Sequence, residues 1–229
     1  MAYINNREKK CAICGTVHKY QSLGANFSFG MRDLDTRPPG MARTLMHLMV
    51  EKCPKCGYSS YDVSSNQYEI TINDISAPEY QVILNNDKIN FALKKFMLAG
   101  CLLEKHNVKM AGLSYLRGAW MADDSNEVMF SKRLRSKAIK FLELSLNEED
   151  NENIKLIIVD LYRRINMFEE ASDYARYLIN NIGMEKYKQN ILLYQIKLCE
   201  EEDNLDHTIP GNYNFYATRE ENDEKSISK

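Results

Sequence analysis

Two short cysteine hooks constrain this chain more than anything else in it: Cys11-Ala12-Ile13-Cys14-Gly15 and Cys53-Pro54-Lys55-Cys56-Gly57. In each, two thiols stand two residues apart and a glycine follows. A turn of that length aims both sulfurs at one point, and the glycine lets the backbone turn without a side-chain clash. Two hooks supply the four thiolates of a closed tetrahedral site. Cys11, Cys14, Cys53 and Cys56 are therefore the predicted ligands of one structural Zn²⁺, with iron as the second choice of metal. The 38 residues between Cys14 and Cys53 become a loop closed by the ion, and closing a long loop removes much chain entropy from the unfolded state. With sulfur at every corner no position is open for water, which argues against metal-hydroxide chemistry. His18 and His47 lie near the hooks and read as surface neighbours rather than ligands.

The two remaining cysteines, Cys101 and Cys199, sit in apolar helical stretches and read as buried thiols, because no histidine or aspartate at a motif spacing accompanies them. Hooks in metal spacing, and a start without an apolar leader, point to a reducing cytoplasm. The longest apolar run, Phe96 to Leu103, falls far below the ~18 residues of a membrane span. With 44% hydrophobic and 27% charged residues over 229 positions, the chain has the make-up of one medium or two small soluble domains. Residues 1–66 hold nine Lys/Arg and five Asp/Glu, whereas residues 67–229 hold 21 and 27. Four thiolates on a dication add a charge of −2, which halves that early positive excess. The net charge of −2 likewise argues against a strong nucleic-acid-binding surface.

The pattern predicts a mainly α protein in three parts. Residues 1–75 form a small zinc-ribbon-like β module, residues 76–203 an antiparallel α-helical array, and residues 204–229 an acidic, disordered tail interrupted by Tyr213, Phe215 and Tyr216. Residues 41–50 suit a short helix or a strand, with a strand the preferred reading, and 66–75 reads as one strand. Ser76-Ala77-Pro78-Glu79 reads as a helix start, with Ser76 as cap. Helices are then expected at 77–86, 88–105, 108–122, 127–147, 151–165, 168–182 and 185–202. Their links are short, so consecutive helices should fold back on one another.

The stretch Asp160-Leu161-Tyr162-Arg163-Arg164-Ile165-Asn166-Met167-Phe168-Glu169-Glu170-Ala171 resembles a tetratricopeptide repeat (TPR). A large residue late in one helix, Tyr162, is followed nine positions later by a small one, Ala171, which lets the next helix approach. Leu193-Tyr194 recurs 32 positions after Leu161-Tyr162, near the ~34-residue period, and Trp120 with Ala138 resembles a degenerate copy upstream. Asn166 stands where such repeats often have glycine. Residues 8–200 as a whole resemble a bacterial family known only as a domain of unknown function. The resemblance lies in the paired hooks, the loop Asp33-Leu34-Asp35-Thr36-Arg37-Pro38-Pro39, the ending Cys-Pro-x-Cys-Gly-Tyr at Cys53 to Tyr58, and the TPR-like helices. It implies a cytoplasmic bacterial protein and no particular activity.

Two further groups draw attention. Asp33, Asp35 and Arg37 could bind a cation or act as acid, base and anion holder; the plainer reading is that the aspartates cap turns and Arg37 pairs with them. Trp120, Tyr162 and Tyr194 are the predicted wall of a partner groove. The basic run Lys132-Arg133-Leu134-Arg135-Ser136-Lys137 reads as a solvated helix face, or as a docking patch for an acidic peptide or RNA. The leading expectation is a non-enzymatic adaptor that binds another protein or peptide. One alternative is a nucleic-acid-associated regulator touching phosphate through Arg32, Arg37, Arg43, Lys52 and Lys55. A second is a metal-dependent enzyme built on the Asp33–Arg37 loop.

Overall fold

The computed structural model describes residues 4–23 and 30–210. Two antiparallel hairpins carry the hooks at their tips. Strand β1 (Ile4–Lys10) pairs with β2 (Val17–Leu23), and the pair Lys10 and Val17 flanks the first hook. Strand β3 (Glu51–Lys52) pairs with β4 (Ser59–Ser60), with Lys52 opposite Ser59 and the second hook between them.

The strand expected over 41–50 is instead helical: α1 (Gly40–Thr44) and a 3₁₀ turn over Met46–Met49. Local turn bonding replaces a ladder here: the Leu45 N–H reaches the Met41 carbonyl at 3.1 Å and the Leu48 N–H the Leu45 carbonyl at 3.0 Å, while Ala42 and Met46 face the core. The strand expected over 66–75 is a loop running into α2 (Ile72–Ser76). Here the Asn66 side chain accepts from the Ile70 N–H and donates to the Ile70 carbonyl, both at 2.8 Å, so it takes bonds that a strand ladder would use. Thr71 and Asp74 then form a reciprocal cap on α2. Helix α3 (Pro78–Leu84) does begin with Pro78 in its first turn, but its cap is Ala77. Ser76 turns its hydroxyl back to the Ile72 carbonyl, 2.7 Å away.

Six longer helices follow: α4 (Phe91–Leu103), α5 (Val108–Asp124), α6 (Val128–Leu146), α7 (Glu152–Arg164), α8 (Phe168–Asn181) and α9 (Lys186–Glu200). Their bounds lie within a few residues of those expected. Asn107 and Asn151 are N-caps whose side chains accept first-turn N–H groups of α5 and α7. Asn166 has φ 71°, a left-handed turn position that asparagine tolerates and glycine usually fills. Each helix from α3 onward packs against the next, and α7 also touches α9.

Three apolar clusters hold this arrangement. The largest joins α4, α5, α6 and α7 with Met46 and Val50. A second joins α7, α8 and α9 with Leu34 and Ile209. The third surrounds the hooks and takes in Tyr80 of α3 and Leu98 and Leu102 of α4. Helix α4 thus has one side in the hook cluster and another in the helical core. The disordered tail expected from residue 204 does not begin there. Leu34 donates its N–H to the His207 carbonyl at 2.9 Å, and Ile209 donates to the Arg32 carbonyl at 2.8 Å. Thr208 forms a bridge with Asp33. Tyr213, Phe215 and Tyr216 lie outside the described residues, as do Phe27 and Phe29.

Candidate metal centre

The two hooks have the same local bonding. The Gly15 N–H reaches the Cys11 carbonyl at 2.9 Å and the Cys11 N–H reaches Thr16 at 2.8 Å; the Gly57 N–H reaches Cys53 at 3.0 Å and the Cys53 N–H reaches Tyr58 at 2.8 Å. Gly15 and Gly57 have φ of 72° and 79°, the left-handed region that glycine enters without penalty. These turns bring the sulfurs together. Cys11 Sγ lies 3.7 Å from Cys56 Sγ, and Cys14 Sγ lies 3.6 Å from Cys53 Sγ. All four lie within 4.8 Å of one another. A tetrahedral ion with metal–sulfur bonds of ~2.3 Å sets its sulfurs about 3.8 Å apart, so the donor set fits one such ion. Burial pushes the Cys11 and Cys56 thiols up, and a dication is what allows thiolates to sit this close. The site can therefore hold one metal ion through four soft donors. His18 packs edge-on against Tyr20 and His47 Nδ1 faces the Thr44 carbonyl; neither joins the cluster.

Several supporting residues escaped the sequence reading. Lys9 stands two residues before Cys11, and Glu51 two before Cys53. Lys9 Nζ lies 2.7 Å from Glu51, and Glu51 also accepts the Val63 N–H at 3.0 Å. Opposite charges at equivalent positions of the two hooks were the signal for this tie between hairpins. Tyr80 of α3 donates its hydroxyl to the Gly57 carbonyl at 2.8 Å, fixing the second hook to the helices. Gly57 itself has no room for a side chain, since a Cβ there would meet Leu84 Cδ2 at 2.6 Å. Gly57→Ala is expected to cost about 1–3 kcal/mol through strain and clash. A thermal melt of the metal-loaded protein reads this, and an unchanged melting temperature would contradict it.

The Asp33–Arg37 loop is docked into the helices. Arg37 is 2% exposed. Its guanidinium donates to the Trp120 carbonyl at 2.9 Å and pairs with Asp124 at 2.6 Å. Asp35, 1% exposed, accepts the Trp120 indole N–H at 2.6 Å. Arg135 lies 3.8 Å from Asp35 and pairs with Asp123 at 2.6 Å, and Arg164 also reaches Asp123 at 3.4 Å. Burial pushes Asp123 up, but the Arg135 guanidinium outweighs it and holds the carboxyl below its usual range. Asp33 differs: burial, then the charges of Asp35 and Asp206, lift it to about 6. Two of the three loop residues are thus tied into a seam that joins the loop, α5 and α6.

A family model described as "Uncharacterized protein conserved in bacteria (DUF2225)" matches residues 4–201. The chain belongs to this family. No curated protein and no solved structure matches it.

In this DUF2225 chain the predicted partner wall comes apart. Trp120 is a core residue, 5% exposed, because its indole serves Asp35; it cannot line an open groove. Tyr194 packs edge-on against His207 at 6.2 Å. Tyr162 does line a shallow cleft with Ile139, Ile165 and Met167, its hydroxyl donating to Glu143 at 2.6 Å. A more apolar groove of about 370 Å³ lies elsewhere, between α3, α4 and α6. Val82, Ile83, Ile89, Met97, Phe130 and Leu134 line it, with Glu79, Arg133 and Lys137 at the charged edge. The basic run of α6 is split by its helical period. Arg135 turns inward to Asp123, while Arg133 stays exposed and has no ion-pair partner among the described residues.

Proposed function

We propose that this protein is a non-enzymatic adaptor braced by one structural zinc ion, whose helices bind an amphipathic segment of another protein. The observation that carries the reading is the groove between α3, α4 and α6. It is apolar along its length, and Val82 at its edge is 70% exposed. Such grooves suit the apolar stripe of a helix. Of the charges that line it, Lys137 is paired with Glu104 at 3.0 Å, while exposed Arg133 has no ion-pair partner among the described residues and favours a segment with an acidic residue beside that stripe. Zinc is the metal of this reading, because four thiolates at tetrahedral spacing are its usual structural set. A closed site of that kind braces the fold and leaves no corner for substrate. The Tyr162–Ala171 pair supports a TPR-like relation between α7 and α8, Ala171 being fully buried. A cytoplasmic location belongs to the same proposal, since the hook thiols must stay reduced to hold the ion. Among the described residues no helix is long and apolar enough to cross a membrane.

The regulator and enzyme alternatives draw less support. Arg37 is committed inside the seam, and Arg43 lies 3.3 Å from Asp124 and 3.7 Å from Asp206, which weakens the phosphate-binding set. Asp35 and Arg37 are likewise enclosed, so the loop offers little to a substrate.

The test uses the full chain loaded with zinc and two synthetic helical peptides sharing one apolar stripe, one flanked by glutamates and one by lysines. The acidic peptide should bind, and Val82→Glu or Arg133→Glu should each weaken it about tenfold, a hot-spot loss of ~1.4 kcal/mol. Both positions are exposed, so the fold should survive. Equal binding of the two peptides, or indifference to both substitutions, would sink the reading.

A further inference from the structure

A second cavity, of about 300 Å³, lies at the seam between the second hairpin and helices α4 and α5. Its place follows from the fold: Tyr68 packs against both the hook cluster and the large helical cluster, so the cavity forms where two cores meet. Sites of this size at the border of two units are common ligand positions, and ~300 Å³ is the small end of their range.

The rings that wall the cavity are held by their own hydroxyls. Tyr58 donates to the Ser65 carbonyl at 3.0 Å. Arg117 donates to the Tyr61 hydroxyl at 2.6 Å. Ser114 gives its proton to the Met110 carbonyl at 2.7 Å, so the 2.9 Å contact between Tyr61 and Ser114 is a donation from Tyr61. Two phenols are therefore fully engaged, which fixes their rings in place. The floor is apolar, made by Ala99, Leu102, Leu103 and Met110. The mouth differs. Tyr68 accepts from Asn107 at 3.3 Å, and its own proton has no acceptor among the described residues. The Gln67 amide, exposed at the mouth, makes no hydrogen bond among the described residues. The one ionisable acid in the lining, Asp62, is already paired with Lys9 at 3.0 Å and bonded by Ser64 at 2.7 Å.

We infer that this cavity is a binding site for a small, flat, uncharged heteroaromatic molecule with hydrogen-bonding groups on its edge. Rigid rings and an apolar floor suit a planar ligand, since stacking needs faces held in advance. Tyr68 and Gln67 supply a donor and an amide for the ligand's edge. The lining offers no unpaired cation to an anion, so a charged carboxylate or phosphate is disfavoured. Tyr58 follows the second hook directly and its carbonyl receives the Cys53 N–H, so the cavity wall is built on the metal-bound turn.

The probes are adenine, nicotinamide, nicotinate and cyclohexanecarboxamide, titrated into the metal-loaded full chain and followed through the tyrosine ring resonances. Adenine or nicotinamide should bind in the millimolar range or tighter and shift those resonances. Nicotinate, charged, and cyclohexanecarboxamide, not planar, should bind at least about tenfold more weakly, the worth of one stacking contact. Met110→Trp should fill the cavity and abolish binding. Gln67→Ala with Tyr68→Phe, which remove bonding groups without enlarging any side chain, should weaken it about fivefold or more. The inference is overturned if neither flat neutral probe binds, if the saturated amide binds as well as nicotinamide, or if binding ignores the double substitution.

Discussion

Removing the metal, or replacing Cys53 by serine, is expected to unfold the two hairpins together with α3 and to leave α7, α8 and α9 protected. A structural tetrathiolate zinc site of the proposed kind is worth ~10–16 kcal/mol of apparent binding free energy. Cys53 is fully buried within the hook cluster, whose other members include Tyr58, Val63, Ile70 and Tyr80. Without the ion, four thiols must share a space made for one cation. The cluster also contains Leu98 and Leu102 of α4, so protection should fall on that side of α4 as well. The cluster made by α7, α8 and α9 shares no buried residue with it. Hydrogen exchange read by mass spectrometry separates the outcomes. Loss of protection through α9 would mean one cooperative unit. Unchanged hairpins would mean that the four cysteines hold no metal.

The second large effect is expected at Arg37. Arg37→Ala removes a buried guanidinium and leaves the Trp120 carbonyl without its side-chain donor, while Asp124, 40% exposed, keeps Arg43 at 3.3 Å. Losing the hydrogen bonds and packing of that buried side chain costs about 1–3 kcal/mol, or a melting temperature lower by roughly 5 °C for a chain of this size. Asp33 should behave in the opposite way. Its folded-state pKa is raised to about 6 from an ordinary carboxylate value, so its ionisation costs stability. That cost sets in as pH rises from the unfolded value through about 6 and is complete above it. Asp33→Asn should therefore raise the melting temperature at pH 7.5 and change it less at pH 4.5. Calorimetry at the two pH values checks both substitutions. No fall for Arg37→Ala would show that the seam is not what anchors the loop, and a fall for Asp33→Asn at pH 7.5 would show that ionised Asp33 does not cost stability.

The Arg37 case shows why the loop was only half readable. Asp33, Asp35 and Arg37 stood out as charged residues in a proline-rich turn, and pairing was the plainer expectation for them. Their partners, Trp120, Asp123, Asp124 and Arg135, lie far along the chain. No local spacing connects residue 35 to residue 120, so the same letters suited a ligand loop equally well. Trp120 was misplaced for the same reason. An aromatic at a repeat-like position reads as groove wall until the buried carboxylate it serves is found. The strands expected at 41–50 and 66–75 failed differently. Residues 66–75 were read by alternation, while the side chain of Asn66 decided the backbone; residues 41–50 suited a short helix or a strand, and local turn bonding decided for the helix.

The sequence by itself determined the four converging cysteines, the hook turns and the helical order. All three depend on neighbours within a few residues: the thiol spacing, the glycine after it, the 3.6-residue period and the asparagine caps. Only the tertiary structure decided which charges are buried, which aromatic is core, and where a groove and a cavity open. Those depend on contacts between residues distant in the chain, whose energies come from burial and pairing across elements that local patterning does not encode.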